Sequence, residues 1–164
     1  MKVEAGRELL APPEDVWRLV AEPYHLSDWW PGYTGIEPDR RGLSEGARWC
    51  IVRGSTHAGT SNLLRRLVGD GTIVISRVVE ERVLAWHDVE FGRDARVTLT
   101  PAAKRHTDVR VQIEGGWARI VSEGLRSVPA QAVRRLFDLC QTAVELEMRG
   151  PEPRGNRGSR SSAT

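Results

Sequence analysis

The side chains best suited to chemistry lie on one predicted strand, residues 82–91. One phase of this strand consists of Val83, Ala85, His87, Val89 and Phe91, and the other of Arg82, Leu84, Trp86, Asp88 and Glu90. Composition points the first phase toward the core, with His87 as its one polar member, whereas the opposite phase would carry Asp88 inward. Either choice brings a titratable group to the apolar side, where desolvation favours its neutral form. His87 and Asp88 are therefore candidate acid–base groups; a hydrogen-bonded core histidine, or an acid at the open strand end, is the structural alternative.

Arg7 is the third candidate, because it occupies the apolar phase of the predicted first strand. An inward-facing arginine must be paired or must reach solvent. It could therefore anchor a carboxylate or enolate of a ligand, or extend its charged end out of the sheet.

Other chemistries lack their motifs. The four histidines and two cysteines show no metal-ligand spacing, so the sequence predicts no metal site. No Gly-x-Ser-x-Gly elbow and no phosphate-binding loop occurs, and no cofactor is predicted.

Charge and hydropathy restrict the partners. The net charge is +2, but four arginines and one glutamate in residues 149–164 contribute +3 and leave the rest at −1. The body therefore has no basic footprint for nucleic acid. No apolar run is long enough for stable membrane insertion, and no secretory signal is visible, so a cytoplasmic protein with free thiols is expected. The Arg/Gly/Ser/Pro-rich tail, 149–164, is expected to be disordered behind one domain, 1–148.

The hydrophobic periodicity predicts the elements that must position these groups. A first strand over 3–9 precedes two short helices, one starting at Pro12-Pro13 and one from about Tyr24 to Trp30. Strands follow near 34–39, 46–54, 71–80, 82–91, 94–101 and 105–114. A long helix with a broad apolar stripe then covers about 128–148. The fold class is α+β.

This order of elements resembles the helix-grip superfamily, also called START-like or SRPBCC, and within it the polyketide cyclase/dehydratase and lipid-transfer branch. The resemblance rests on APPEDVW (11–17), WWPG (29–32), GARW (46–49), RVLAW (82–86) and VTLTP (97–101). It implies a curved seven-stranded antiparallel sheet around the C-terminal helix, with an apolar cavity between them. The family pattern favours Leu84 and Trp86 inward, which would bring Asp88 with them. Segment 55–70 is longer than the family pattern and is either an extended strand or an inserted flap.

The leading functional hypothesis is a carrier or sensor that holds a small hydrophobic or amphipathic molecule in that cavity. The alternatives are a cyclase/dehydratase-like enzyme that uses a cavity acid or base, and a protein-interaction module without a ligand. The predicted ligand-binding residues are Trp30, Trp49, Ile51, Ile75, Trp86, Val97, Leu99, Val111, Ile113, Trp117, Val133, Leu136, Phe137 and Cys140. The sequence leaves the ligand and the oligomeric state open.

Overall fold

A computed structural model describes residues 1–53, 71–116 and 125–149, with side chains up to residue 142 and except that of Lys104. The flap segment 55–70, the predicted ligand-binding residue Trp117 and nearly all of the tail lie outside the described residues.

The described strands form one antiparallel sheet. They are β1 (Lys2–Leu9), β2 (Tyr33–Pro38), β3 (Arg48–Arg53), β4 (Gly71–Val79), β5 (Val83–Asp88), β6 (Arg93–Pro101) and β7 (Thr107–Glu114). Their order across the sheet is β1-β7-β6-β5-β4-β3-β2, so the first strand closes one side of a six-strand meander. The predicted number and order of strands are confirmed.

The described residues form three α-helices between and after the strands: α1 (Pro13–Ala21), α2 (Leu26–Trp29) and α3 (Val128–Arg149). Prolines at the start of α1 and two acids in its first turn suit a helix N-terminus, as the sequence indicated. The long helix α3 packs against β1, β7 and α2. This is the helix-grip architecture that the resemblance implied.

The core lies between one face of the sheet and α3. Alternate residues of each strand point to this inner face, and the pairing of neighbouring strands aligns them into rows such as Leu84–Val97–Val111. These residues are buried together with Leu136 and Cys140 of α3. The opposite, outer face carries most of the charged side chains, as expected for an antiparallel sheet with one wet face.

The register of β5 corrects the orientation that composition suggested. Leu84, Trp86 and Asp88 point inward and are at most 1% exposed, whereas the His87 side chain is 44% exposed on the outer face. The inward phase of the family pattern is therefore right and the inward assignment of His87 is wrong. The prediction from composition failed because it treats Asp88 only as a polar residue. It takes no account of the arginines from other strands that pair with Asp88 in the interior.

Candidate functional site

The inner face of the sheet ends in a buried charged cluster. Four side chains meet there: Asp88 from the end of β5, Arg93 from the start of β6, Arg53 from the end of β3 and Tyr33 from the start of β2. Because the strands are antiparallel, these four positions share one end of the sheet. The cluster therefore lies directly beyond the apolar rows of the core.

Both oxygens of the Asp88 carboxylate are heavily used. Arg53 donates from Nη2 to Oδ1 at 2.8 Å and from Nη1 to Oδ2 at 3.1 Å, a two-pronged ion pair. Oδ2 also accepts from Arg93 Nε at 3.2 Å and from the Tyr33 hydroxyl at 3.2 Å. The backbone N–H of Phe91 donates to Oδ1 at 3.4 Å. Asp88 therefore has to lose existing partners before it can accept a proton from a ligand.

Phe91 lies between the two arginines. Its ring centroid is 4.2 Å from the guanidinium carbon of Arg53 and 4.8 Å from that of Arg93. An aromatic face attracts a cation, so this ring helps to hold both guanidinium groups in place. At the rim of the cluster, the half-exposed Glu90 lies 3.7 Å from Arg53 and accepts the backbone N–H of Thr72 at 2.7 Å.

Gly71 makes room for the guanidinium of Arg53. In the sheet β4 lies between β3 and β5, so Arg53 must cross β4 to reach Asp88. A Cβ atom on Gly71 would lie 2.9 Å from Nε of Arg53 and 3.0 Å from its guanidinium carbon. The absence of a side chain at this position therefore permits the ion pair.

Burial changes the protonation of Tyr33. Desolvation, and next the nearby charge of Asp88, raise the pKa of this phenol to about 12. Trp86 and the two arginines oppose this shift. Tyr33 therefore remains a neutral hydrogen-bond donor at physiological pH.

Three tryptophans form an aromatic cluster beside Tyr33. Trp30 contacts Trp86 edge-to-face with ring centroids 4.7 Å apart, and Trp29 contacts both of them edge-to-face. Trp29, Trp30 and Trp86 are at most 1% exposed, and the Nε1 atom of each is buried without a hydrogen-bond partner among the described residues. The indole N–H of Trp86 opposes the rise in the pKa of Tyr33 as a hydrogen-bond donor to the phenol, although it misses strict hydrogen-bond geometry. By contrast, Trp49 donates from Nε1 to the Gly42 carbonyl oxygen at 2.9 Å.

Two of the three candidate catalytic residues lie away from the interior. His87 pairs through Nδ1 with Asp94 Oδ1 at 2.9 Å on the outer face, so its expected place at the cavity is wrong. Arg7 shares the inward phase of β1 with buried neighbours, but it lies on an edge strand and is exposed. Its guanidinium carbon is 3.5 Å from the Phe137 ring centroid of α3. Arg7 thus extends its charged end out of the sheet, and Asp88 alone of the three is buried inside.

The predicted ligand-binding residues are brought together by the fold. Trp30 is buried directly after α2, and eleven more are buried on the inner face of the sheet or on α3: Trp49, Ile51, Ile75, Trp86, Val97, Leu99, Val111, Ile113, Val133, Leu136 and Cys140. Phe137 is partly buried against the same core. Burial, and next the charge of Asp15, raise the pKa of the Cys140 thiol to about 11, which keeps it protonated and unreactive. That these side chains contact a ligand remains a prediction.

Sequence reasoning missed Arg53, Arg93, Tyr33 and Gly71. Arg53 could have been found, because it continues the inward phase of Trp49 and Ile51. Arg93 follows a turn and Tyr33 begins a strand that contains a bulge, so their positions depend on strand pairing that the sequence does not reveal.

A cavity of about 370 Å³ lies on the outer face of the sheet, not between the sheet and α3. Its lining is mostly polar and includes Asp94, Arg96 and Gln112. The expected apolar cavity on the inner face remains a prediction. Within the described ranges, no group of three His, Cys, Asp or Glu side chains could hold a metal ion.

Comparison with known proteins gives one family and a set of similar structures. The family model described as "Polyketide cyclase / dehydrase and lipid transport" matches residues 1–148. No protein of curated function matches the chain.

Among solved structures, protein NE0264 from Nitrosomonas europaea has 17% identity and a TM-score of 0.67, over 88% of this chain and 97% of that one. A norcoclaurine synthase point mutant from Thalictrum flavum, in complex with a transition-state analogue, has 14% identity and a TM-score of 0.61, over 88% and 96%. The Aha1 dimer from Colwellia psychrerythraea also has 14% identity and a TM-score of 0.61, over 85% and 96%. At such identities the likeness shows a shared fold, which confirms the helix-grip assignment.

Proposed function

Because the chain belongs to the polyketide cyclase/dehydrase and lipid-transport family, we propose that it binds a small hydrophobic or amphipathic molecule between the sheet and α3. In this proposal it acts as a carrier or sensor and not as an enzyme. The apolar body of the ligand lies along the inner face, and its polar end lies toward the cluster of Tyr33, Arg53, Asp88 and Arg93.

The observation that carries the proposal is the position of this cluster. The inner rows of the sheet are apolar, and the buried charged side chains among the described residues lie at the end where β3 and β5 stop and β4 and β6 start. An apolar surface that ends in a few fixed polar groups is typical of a small-molecule site, since apolar area gives affinity and polar groups give orientation.

The cost of burying the cluster supports the same conclusion. Asp88 is 1% exposed, and the side chains of Arg53 and Arg93 are 6% and 11% exposed. Removing such charges from water costs several kcal/mol per ion, and a packed apolar cluster is often as stable or more stable. A charged cluster in an apolar interior is therefore poorly explained by stability alone, and orientation of a ligand supplies a reason for it.

The state of the inward-facing groups favours a carrier over a cyclase. A general acid or base needs a proton position that a substrate can reach. Asp88 already accepts from four residues, the Tyr33 hydroxyl donates to Asp88, and His87 and Arg7 lie outside the interior. Among the described residues, the interior thus offers hydrogen-bond donors to a ligand, while its buried carboxylate is already occupied, and this supports a carrier.

Partners other than a small molecule form no part of the proposal. The charge of residues 1–148 is nearly balanced, which gives no footprint for nucleic acid. In the described part of the chain, no helix is long and apolar enough to cross a membrane. We propose that the protein works in the cytoplasm.

The test is native mass spectrometry of the full chain purified gently from its own cells. The proposal predicts a mass above that of the polypeptide, which organic extraction releases as a small apolar or amphipathic molecule. A chain of bare mass that also fails to bind the neutral fluorophore N-phenyl-1-naphthylamine would contradict it. If the released molecule is converted to a new compound on incubation with the protein, the enzyme alternative replaces the carrier.

A further inference from the structure

The buried aromatic cluster presents hydrogen-bond donors without acceptors. The indole N–H groups of Trp29, Trp30 and Trp86 are buried, and none has a hydrogen-bond partner among the described residues. Edge-to-face packing stabilises the three rings but supplies no oxygen or nitrogen acceptor. The Trp86 N–H lies near the Tyr33 phenol oxygen, which leaves Trp29 and Trp30 without any acceptor among the described residues. A buried donor without an acceptor is costly and uncommon in native proteins, so these two adjacent donors require an explanation.

The neighbouring charged cluster does not supply the missing acceptors. Indole, guanidinium and phenol groups all offer N–H or O–H donors here, and the Tyr33 hydroxyl already donates to Asp88. Asp88 is the inward-facing carboxylate, and donors from Tyr33, Arg53, Phe91 and Arg93 occupy its two oxygens. The described polar groups at this end of the interior therefore present mostly donors, with two buried guanidinium groups around one buried carboxylate whose oxygens are already occupied.

We propose that the ligand carries an oxygen that accepts hydrogen bonds and no donor at its polar end, as a ketone, an ester or a carboxylate does. This inference rests on the proposed function and specifies the ligand class. Such an oxygen, entering beside Trp30, would accept the hydrogen bond that its indole N–H lacks. An ammonium group would be a third cation beside Arg53 and Arg93, whose shared carboxylate Asp88 is already occupied, so it is rejected.

The experiment compares three amphiphiles with similar chains in displacing N-phenyl-1-naphthylamine from the full chain. The probes are 2-undecanone, decanoate and decylammonium, each below its micellar concentration. The ketone and the carboxylate are expected to displace the fluorophore at concentrations at least about tenfold lower than decylammonium, because each unmade hydrogen bond costs severalfold in affinity. The first two probes distinguish a neutral acceptor from an anionic one.

Tryptophan-to-phenylalanine variants test whether the indole N–H groups are responsible. Trp30→Phe keeps an aromatic ring and removes one free donor, so 2-undecanone should bind about three- to tenfold more weakly while decylammonium is unchanged. Trp17→Phe is the matched control, because Trp17 lies on α1, outside the predicted ligand-binding residues, and its Nε1 is not a buried unpaired atom. Trp17→Phe should not change the preference between probes. Trp29→Phe provides the same test if Trp30→Phe does not fold.

The outcomes separate this inference from the proposed function. If the fluorophore binds but all three probes compete equally, or decylammonium competes best, the ligand class is wrong and the proposed function stands. If Trp30→Phe weakens every probe equally, its role is structural and the inference is overturned. If the folded protein binds neither fluorophore nor probes, both proposals fail.

Discussion

Arg53 and Asp88 form an ion pair across an intervening strand. Arg53 belongs to β3 and Asp88 to β5, yet Nη2 and Oδ1 are 2.8 Å apart. Neighbouring strands lie about 4.8 Å apart, so the two side chains together bridge roughly 10 Å of sheet across β4. Gly71 is the β4 residue beneath it, and the pair therefore links three strands at the end of the sheet where the ligand is proposed to bind.

Substitution of Gly71 by alanine should separate this pair. The new Cβ would overlap the guanidinium, which can swing away at little steric cost but then leaves Asp88. We expect a loss of about 1–3 kcal/mol in the free energy of unfolding, the usual cost of a broken charge-assisted hydrogen bond in a buried site. Chemical denaturation measures it.

The control for this substitution is Gly35→Ala in β2. There a Cβ would make an ordinary contact, 3.5 Å from Val52 Cβ, and stability should change by less than about 1 kcal/mol. Equal stabilities for the Gly71 and Gly35 variants would show that Arg53 does not depend on the missing side chain.

Neutralising Asp88 should destabilise the protein far more than neutralising an exposed acid. Asp88→Asn leaves the buried guanidinium groups of Arg53 and Arg93 without their shared counter-charge, and such a change typically costs about 3–5 kcal/mol. Asp94→Asn is the comparison, because Asp94 also pairs across strands, with His87, but its side chain is 65% exposed. At an exposed position such a pair contributes about 0–1 kcal/mol to stability. Similar losses in thermal or denaturant unfolding for the two variants would contradict the buried cluster.

The part of this arrangement that sequence could predict is the part set by periodicity. Alternation along the strands and the broad stripe of the last helix predicted seven strands and α3, because burial of one face requires those periods. The orientation of β5 was not predictable in the same way. Val83, Ala85 and Val89 make the outer phase look apolar, while Asp88 becomes tolerable inside only because Arg53 comes from a strand 35 residues earlier. The charged cluster depends on pairing between residues that are distant in the sequence, and a local sequence pattern does not reveal such pairing.

The phenol of Tyr33 should make stability fall at high pH. Its pKa is raised to about 12 in the folded protein from 10.0, so between these values the unfolded chain loses the proton first. The free energy of unfolding therefore stays constant with respect to this group below pH 10 and decreases from about pH 10 to 12. The decrease amounts to roughly 2–3 kcal/mol at most.

Tyr33→Phe is the variant that checks this decrease. This variant lacks the ionisable phenol, so its free energy of unfolding should decrease by roughly 2–3 kcal/mol less than that of the wild type between pH 10 and 12. The buried thiol of Cys140 contributes equally to both proteins. Denaturant unfolding at several alkaline pH values gives both curves. Parallel curves for the wild-type and Tyr33→Phe proteins would mean that Tyr33 titrates as an exposed phenol.

The central claim is that a ligand occupies the space between the inner face of the sheet and α3, and enlarging one helix residue tests it most directly. Leu136 is fully buried toward the sheet, whereas its neighbour Arg135 is exposed. The measurement is the affinity of each folded variant, Leu136→Trp and Arg135→Trp, for N-phenyl-1-naphthylamine. Leu136→Trp should lose binding by at least about tenfold because the larger side chain fills the site, whereas Arg135→Trp should bind as the wild type does. Unchanged binding in a folded Leu136→Trp protein would contradict a ligand site between the sheet and α3.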